Sequence, residues 1–349
     1  VQDTSAAYVP IFGGSVVDIA VSVSQVGSSA YTQEVTITAL GALARLQKAL
    51  TDGVLTQDFD GNQIATILGQ VLFNTWQQVP AALTWANYEP TETWAQAQNT
   101  GYGEIDTPGN YELAQRASNR TVVYDLVAAL ATSGLGYLYE DASGLISYGD
   151  STHRTTYLAT YGYTDLTANQ ALGRGITIKT RAGDVRNDIT INYGTLSASQ
   201  VSDTDQASIG IYGDLAQIIT TTIKHQADAE DQAAFYLALR AYPQPIFDSI
   251  TYALTNPELD NADRNALINV FMGQPIALND LPPNMSAGVF QGFVEGWTFR
   301  ASYNQLDITL LMSPLAYSLQ AMQWNDVPIT EAWNTVSPTL DWANATIVS

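Results

Sequence analysis

Apolar and polar residues alternate along the first forty residues of the chain. Residues 33–40 alternate through Val35, Ile37 and Ala39, and residues 15–24 do so through Val17, Ile19, Val21 and Val23. A period of two places successive side chains on opposite faces of a strand. The pattern therefore predicts two half-buried strands, and the run that follows predicts a short helix over residues 40–50.

Three stretches predict helices, and the first of them carries an apolar stripe with the 3.6-residue period of an amphipathic helix. The first covers residues 58–76, with Asp60 or Asn62 as the N-cap, and the second covers 119–134 and ends at Gly134. The third, 225–242, is acidic at its start and is stopped by two prolines. Together they predict helices separated by loops, notably over residues 80–112.

Strand pairs are predicted around three short turns or links. Residues 136–150 predict a hairpin, and residues 175–194 predict another with its tip at 182–184. Residues 195–207 are rich in Ser, Thr and Asp, which predicts a linker between domains. Residues 247–254 predict a return to strand.

Residues 265–313 contain four short β-type runs separated by Gly and Pro. The runs are 268–272, 275–279, 288–301 and 305–312. Such punctuation is typical of closed or nearly closed antiparallel barrels. The stretch contains no set of residues that would form a catalytic site, so it indicates a building block rather than an enzyme.

This stretch resembles the tail hub proteins of long-tailed bacteriophages, especially those of actinobacteria, which are also called minor tail proteins. The residues that carry the resemblance are Gly273, Pro275, Leu281, Pro282, Gly292, Val294, Glu295, Gly296 and Trp297. A second match starts at residues 208–213 and continues through a polar loop, a helix and an alternating strand. The resemblance covers most of the chain.

The resemblance implies a mainly β fold with an α+β insertion. Residues 1–50 and 151–200 would form one tube-type β-barrel, whose first strands would precede residue 1. Residues 51–150 would be the inserted α+β domain, residues 206–315 a second barrel that includes the 225–242 helix, and residues 316–349 an extended C-terminal arm.

The function implied by the resemblance is structural. Three copies would form a hub at the tip of the virion tail, adapt the symmetry of the tube, line or close the DNA channel and anchor fibres. Expected partners are the distal tail and tube ring proteins, the tape-measure protein and fibre or other minor tail proteins, with genomic DNA only in passage. The alternative is a receptor- or carbohydrate-binding tail protein.

Composition narrows the function further. Among 349 residues only 13% are charged, and the net charge of −21 is divided evenly between residues 1–150 and the remainder. The chain has no basic patch to bind phosphates, which disfavours ordinary nucleic-acid binding. An acidic surface suits a channel wall that repels DNA, or serves solubility alone.

Candidate chemistry is sparse. The two histidines lack metal-binding spacing: His153 lies in a run that predicts a strand, and His225 lies at the start of a predicted helix. There is no cysteine, and no apolar run reaches the 18 residues of a membrane span. Residues 58–62 resemble half of a calcium loop, but the glycine falls at the wrong position, so a helix cap is favoured. Glu295 beside Trp297 is the best candidate for a catalytic carboxylate, although the resemblance makes it part of a structural turn. We therefore expect no enzyme activity, cofactor or metal.

The last stretch of the chain has a different pattern. Tryptophans recur every nine residues, with Pro between them, at Trp324, Trp333 and Trp342. Aromatic anchors spaced this way suit an extended arm whose rings bind a partner; the alternative is one small domain. The chain opens without Met or a signal-peptide pattern, which predicts an internal start.

Overall fold

A computed structural model describes residues 1–24, 32–70, 84–85, 89–93, 102–171, 178–180, 182–243, 245–247, 249–281 and 289–314. Strand exceeds helix among them, in agreement with the expected mainly β class. The chain forms two compact units. Unit 1 contains Val1 and residues 10–150, and unit 2 contains residues 2–9 and the chain from Ser151 onward.

Unit 1 combines short strands with three helices over the described residues. In chain order these are β1 Ser15–Ser24, β2 Thr32–Leu40, α1 Ala42–Leu46, β3 Leu50–Thr51, β4 Asp58–Phe59, α2 Asp60–Gly69, β5 Thr84–Trp85, β6 Glu89–Thr93, β7 Tyr102–Ile105, β8 Glu112–Leu113, β9 Thr121–Val122, α3 Val123–Ser133, β10 Tyr137–Glu140 and β11 Ile146–Gly149.

The core of unit 1 lies where α2 packs against α3. On α2 the residues spaced i, i+3 and i+4, namely Ile64, Ile67 and Leu68, are fully buried, which confirms the predicted apolar stripe over the described residues. Helix α3 ends at Gly134 as predicted, but it starts at Val123 rather than at residue 119, since Thr121 and Val122 form β9. The predicted hairpin at 136–150 is also confirmed, since β10 pairs with β11.

Other local predictions in unit 1 are wrong. Helix α1 is shorter than residues 40–50, because Leu50 and Thr51 pair with β9 instead. Residues 80–112 are not only loop: they contain β5, β6, β7 and β8, and β7 lies parallel to β11. The N-cap of α2 is Phe59, without a side-chain cap, because Asp60 turns its carboxylate into the interior.

Unit 2 contains two larger sheets. Its elements are α4 His153–Tyr161, β12 Thr164–Thr167, β13 Ile178–Thr180, β14 Asp188–Tyr193, β15 Ser199–Thr204, α5 Gln206–Tyr212, β16 Ala216–Thr220, α6 Gln226–Arg240, β17 Pro245–Phe247, β18 Ile250–Ala253, α7 Asn261–Ile268, β19 Pro275–Asn279, β20 Phe290–Ser302 and β21 Gln305–Pro314.

The five-stranded sheet of unit 2 has the order β12-β19-β20-β21-β18, with β12 parallel to β19 and the other neighbours antiparallel. Its inner face buries large residues such as Tyr252, Ile308 and Leu310. The strands predicted at 275–279, 288–301 and 305–312 are confirmed. The strand predicted at 268–272 is wrong, because α7 runs to Ile268 and a turn follows it.

The smaller sheet has the order β15-β14-β16, and α6 covers one of its faces. Residues such as Ile189, Ile191 and Ala233 form the core between them. The helix predicted at 225–242 is thereby confirmed. Residues 195–207 are not a linker, since β15 pairs with β14 along its whole length.

The hairpin predicted for residues 175–194 is also wrong. Strand β13 pairs with β17, whereas β14 pairs with β15 and β16, and residues 182–184 form a single 3-10 turn. Within the described ranges every sheet is open, so the single chain does not form the two expected barrels there. The division into four domains stays a prediction, and residues 316–349 lie outside the described part.

Candidate assembly surface

Strands β1 and β2 form a two-stranded antiparallel sheet, here called the ribbon. Ser15 pairs with Leu40 at one end and Ser24 with Thr32 at the other, with one register shift near Val17. Neither strand pairs with any other strand in the described part of the chain. Both outer edges of the ribbon therefore offer unpaired backbone groups to a neighbour.

One face of the ribbon is apolar. The register places Val16 opposite Ala39, Ile19 opposite Ile37 and Val21 opposite Val35, so these side chains share a face. We call this set the apolar face. Its five larger side chains are each between 55% and 62% exposed.

The opposite face of the ribbon is polar. It carries the cross-strand pairs Asp18 with Thr38, Ala20 with Thr36 and Ser22 with Glu34. These residues are exposed as well. The prediction that the two strands are half-buried is therefore wrong for the described chain: the alternation is real, but nothing described covers its apolar side.

The base of the ribbon is held firmly against the rest of unit 1. A Cβ at Gly13 would collide with the backbone carbonyl of Ser143, and one at Gly41 would collide with the carboxylate of Glu140. Glu140 also accepts a hydrogen bond from the backbone N–H of Leu43, and Arg45 donates to the hydroxyl of Ser15. The ribbon thus projects from a close-packed base.

This geometry has an energetic consequence. An isolated two-stranded sheet is marginally stable in water, and its stability rises when one face is packed against another element. A row of exposed β-branched side chains on one face is also unusual for a surface that stays in water. The apolar face is therefore the strongest candidate in the described structure for a surface that a partner covers.

Glu295, the candidate catalytic carboxylate, is held by structural contacts. It lies at the register shift between β20 and β21, and a bulge of this kind redirects a side chain. Nη2 of Arg154 donates to both carboxylate oxygens at 2.7 and 2.8 Å, and the Ser313 hydroxyl donates at 2.5 Å. The carboxylate therefore ties α4 to the edge of the bulge.

The two histidines occupy different settings. His153 does not lie on a strand as the sequence suggested; it is the buried first residue of α4, and its ring lies 3.9 Å from that of Tyr157, centroid to centroid. His225 occupies the N-cap position of α6, as predicted, although its side chain makes no capping bond.

A buried carboxylate pocket lies in unit 1 where the sequence suggested a helix cap. Oδ1 of Asp60 accepts the backbone N–H groups of Asn110 and Tyr111, each at 2.8 Å. The Tyr148 hydroxyl donates to Oδ2 at 2.5 Å. Burial raises the pKa of Asp60, and these three donors oppose that effect; burial beside Asp60 also raises the pKa of Tyr148.

The neighbouring Asp58 is hydrogen-bonded within its own loop. Its Oδ1 accepts the backbone N–H of Phe59 and the side-chain amide of Asn62.

Sequence reasoning missed a cluster of aromatic rings in unit 2. Tyr157, Tyr161 and Phe271 have ring centroids 5.3 to 5.6 Å apart, in tilted and edge-to-face arrangements. Tyr161 is 61% exposed. The four-residue spacing of the two tyrosines is the signal for this cluster, but it was hidden because the segment was taken for a strand. Trp324, Trp333 and Trp342 lie outside the described residues.

The chain is similar to known proteins in its fold. Neither protein-family models nor curated proteins match the sequence. Among solved structures, the tail protein from Neisseria meningitidis MC58 aligns with a TM-score of 0.53 at 11% identity, over 88% of this chain and 81% of that one. The 43 kDa tail protein of prophage MuSo2 from Shewanella oneidensis aligns with a TM-score of 0.51 at 11% identity, over 89% and 79%.

The chain has the fold of these two tail proteins. The shared fold agrees with the resemblance to phage tail proteins, and it does not depend on any single sequence motif. Among the described residues, no helix combines the length and the apolar character needed to cross a bilayer.

Proposed function

We propose that the chain is a structural protein of a bacteriophage tail that works by assembling with neighbouring subunits. The observation that carries this proposal is the uncovered apolar face on a ribbon with a close-packed base. The shared fold supports it, because the Neisseria and Shewanella proteins compared above are both described as tail proteins. In this role the chain provides architecture rather than catalysis.

The finer form of the proposal is a hub of three copies at the tip of the tail. The open sheets of one chain leave strand edges available, so pairing between copies would complete the two barrels that the sequence resemblance implies. Two barrels in each of three chains would present six similar elements to the tube above. The hub would thus adapt the symmetry of the tail.

The net charge of the chain supports a position beside the DNA channel. With a net charge of −21, strands that face a lumen would carry more Asp and Glu than Lys and Arg, and would repel passing DNA. The proposal requires that Lys179, Arg181, Arg186 and Arg300 do not line the channel. Arg186 already donates to the carbonyls of Gly183 and Val185.

The proposed partners are other tail proteins. The distal tail or tube ring would contact the hub from above, the tape-measure protein would end in its channel, and fibres or other minor tail proteins would bind outside. The four-domain division belongs to this proposal, as does the C-terminal arm with Trp324, Trp333 and Trp342 as its partner contacts.

Electron cryo-microscopy of intact tails, viewed along the tail axis, tests the hub directly. The expected result is a threefold ring of this chain at the tip with acidic residues lining its channel. Mass photometry of the purified chain measures assembly separately. A monomer in solution together with no threefold ring in the tail would refute the trimeric hub.

A receptor- or carbohydrate-binding role is the second candidate. The aromatic cluster of Tyr157, Tyr161 and Phe271 favours it, because Tyr161 is exposed and sugar rings pack against aromatic faces. A glycan array probed with the full chain and with the Tyr161→Ala variant tests this role. Binding that is lost in the variant would favour it, and cell-wall zymography would show any lytic activity.

A further inference from the structure

The apolar face of the ribbon has a definite length. On β1 the apolar face extends from Val16 to Val21, which at about 3.3 Å per residue makes the face roughly 17 Å long. Its side chains are branched and aliphatic, with no charge among them. The occupant of this face must therefore be narrow, extended and rich in large apolar side chains.

A second ribbon is a poor occupant. Each ribbon carries Asp18 and Glu34 and contains neither Lys nor Arg. Edge-to-edge pairing of two ribbons would bring these carboxylates together without a counter-charge, and like charges across paired strands are destabilising. A face-to-face pair would also end with two copies, because it is self-complementary.

The last part of the chain has the required composition. Beyond Pro314, where β21 ends, 35 residues follow with three acids and no Lys, Arg or His. They include Trp324, Trp333 and Trp342 together with Val, Ile and Leu residues between them. Removing such a segment from water requires little desolvation of charge, and each Trp supplies a large apolar contact.

The spacing of the tryptophans is longer than the face. Nine residues of extended chain span about 28 to 32 Å, so one tryptophan and the apolar residues beside it would be enough to cover the face. Prolines at 328 and 338 lie between the tryptophans, and they favour an extended backbone over a helix.

We propose that the apolar face of the ribbon binds residues 316–349 of a second copy of this chain. The proposal rests on the proposed function, since it requires that copies assemble. The face lies in unit 1 and the segment continues from unit 2. A contact that joins two different surfaces repeats from copy to copy, and it closes into a ring where the rotation between copies is a whole fraction of a turn, as a trimeric hub requires.

The absence of cysteine from the sequence permits site-specific photocross-linking in the full chain. Ala39→Cys places a benzophenone maleimide label on the apolar face without replacing any of its five larger side chains. Thr38→Cys is the matched control, since it puts the same label one residue away on the polar face. Unlabelled and nitrogen-15-labelled copies are mixed before illumination, so that mass spectrometry distinguishes links within a chain from links between chains.

The expected product joins residue 39 of one copy to a peptide within 316–349 of the other isotope. Its yield should exceed that of the Thr38→Cys control at least tenfold, and it should fall at least tenfold when Trp333→Ala is added to the Ala39→Cys chain. Links to residues 15–40 of another copy, links only within one chain, or equal yields at the two positions would each overturn the proposal.

Mass photometry of the same samples distinguishes failure of this partner assignment from failure of self-assembly. An oligomer that forms without the expected link leaves self-assembly standing and overturns only this assignment of the partner segment. A monomer at every concentration, with no link between isotopes, overturns both this assignment and assembly of the chain with itself in solution.

Discussion

Ile37→Asp is the sharpest perturbation of the ribbon. Ile37 pairs with Ile19 near the centre of the apolar face and is 61% exposed. Because the side chain contacts little within its own chain, the substitution should leave the fold intact. Surface changes of this kind usually alter the free energy of unfolding by about 0.5 kcal/mol, with up to about 1 kcal/mol more from strand propensity.

Association should be affected far more strongly. The exposed part of Ile37 offers roughly 100 Å² of apolar surface, and burying it stabilises a complex by about 2.5 kcal/mol at 25 cal/mol per Å². Losing that amount weakens association about 70-fold, because about 1.4 kcal/mol corresponds to a factor of ten. Burying an uncompensated carboxylate adds to the loss, so we expect a decrease of at least 100-fold.

The chain supplies a matched control in Thr36→Asp. This substitution introduces the same charge and the same loss of strand propensity on the same strand, but on the polar face. Sedimentation velocity over a concentration series measures association, and thermal unfolding of the monomer measures stability. Complementation of a phage that lacks this protein measures incorporation into tails.

Two results would refute the reasoning. If Ile37→Asp associates and complements as well as the unmodified chain, the apolar face is not an assembly surface. If Thr36→Asp impairs association equally, the effect comes from added negative charge on an acidic protein rather than from lost apolar contact.

Further predictions concern the buried polar contacts and the C-terminal segment. Asp60→Ala should lower the free energy of unfolding of unit 1 by about 3–5 kcal/mol, because three donors lose their acceptor, whereas Tyr148→Phe should lower it by about 1.5–3 kcal/mol; chemical denaturation measures both. Burial raises the pKa of Asp60 in the folded chain. The stability that Asp60 contributes is therefore greatest below the unfolded pKa, and it is lost as pH rises through the folded pKa. Asp60→Asn should remove this dependence of stability on pH. Glu295→Ala should destabilise unit 2 by about 2–3 kcal/mol, and Arg154→Met in that background should restore part of the loss in a double-mutant cycle. Deleting residues 316–349 should leave thermal unfolding of the described units unchanged but prevent assembly into infectious particles.

Each of these predictions has an opposite outcome that is equally measurable. A stable Asp60→Ala chain would mean that the pocket adds no net stability. Additive effects at Arg154 and Glu295 would mean that their contact is energetically unimportant. Global unfolding after the deletion, or continued assembly without residues 316–349, would show that the C-terminal segment is not a partner-binding arm.

Much of the local structure follows from the spacing of hydrophobic residues along the sequence. The stripe on α2 and the strands β20 and β21 were predicted because each segment contains enough residues to display its period, and the length of α6 was predicted from its acidic start and the prolines that stop it. The run at 268–272 was not long enough: its first residue ends α7, and a five-residue apolar run does not separate helix from strand.

The partner of each strand was harder to predict than the position of the strand itself. Strand β13 was recognised as extended, yet it pairs with β17, more than sixty residues later in the chain. Nothing local in the sequence specifies that choice. The same applies to Asp60, whose partners at residues 110, 111 and 148 come from distant positions.

The ribbon shows a different limit of prediction from the sequence. Its alternation correctly predicts two strands with an apolar and a polar face. The same pattern arises whether the apolar face is covered by the chain itself or by a partner, so it does not reveal which one provides the cover. Only the exposure of the side chains in the structure separates these cases.

The segment at residues 2–9 belongs to unit 2, and this placement has a consequence for folding during synthesis. Oδ1 of Asn265 accepts hydrogen bonds from both the backbone N–H and the hydroxyl of Thr4, and Val9 packs against the unit 2 core. Unit 1 has all its residues once position 150 has left the ribosome. The segment that precedes it must wait until the strands near residue 310 emerge, because domains fold as units as their sequence becomes complete. At about 5–20 residues per second, that delay lasts roughly 8 to 30 seconds.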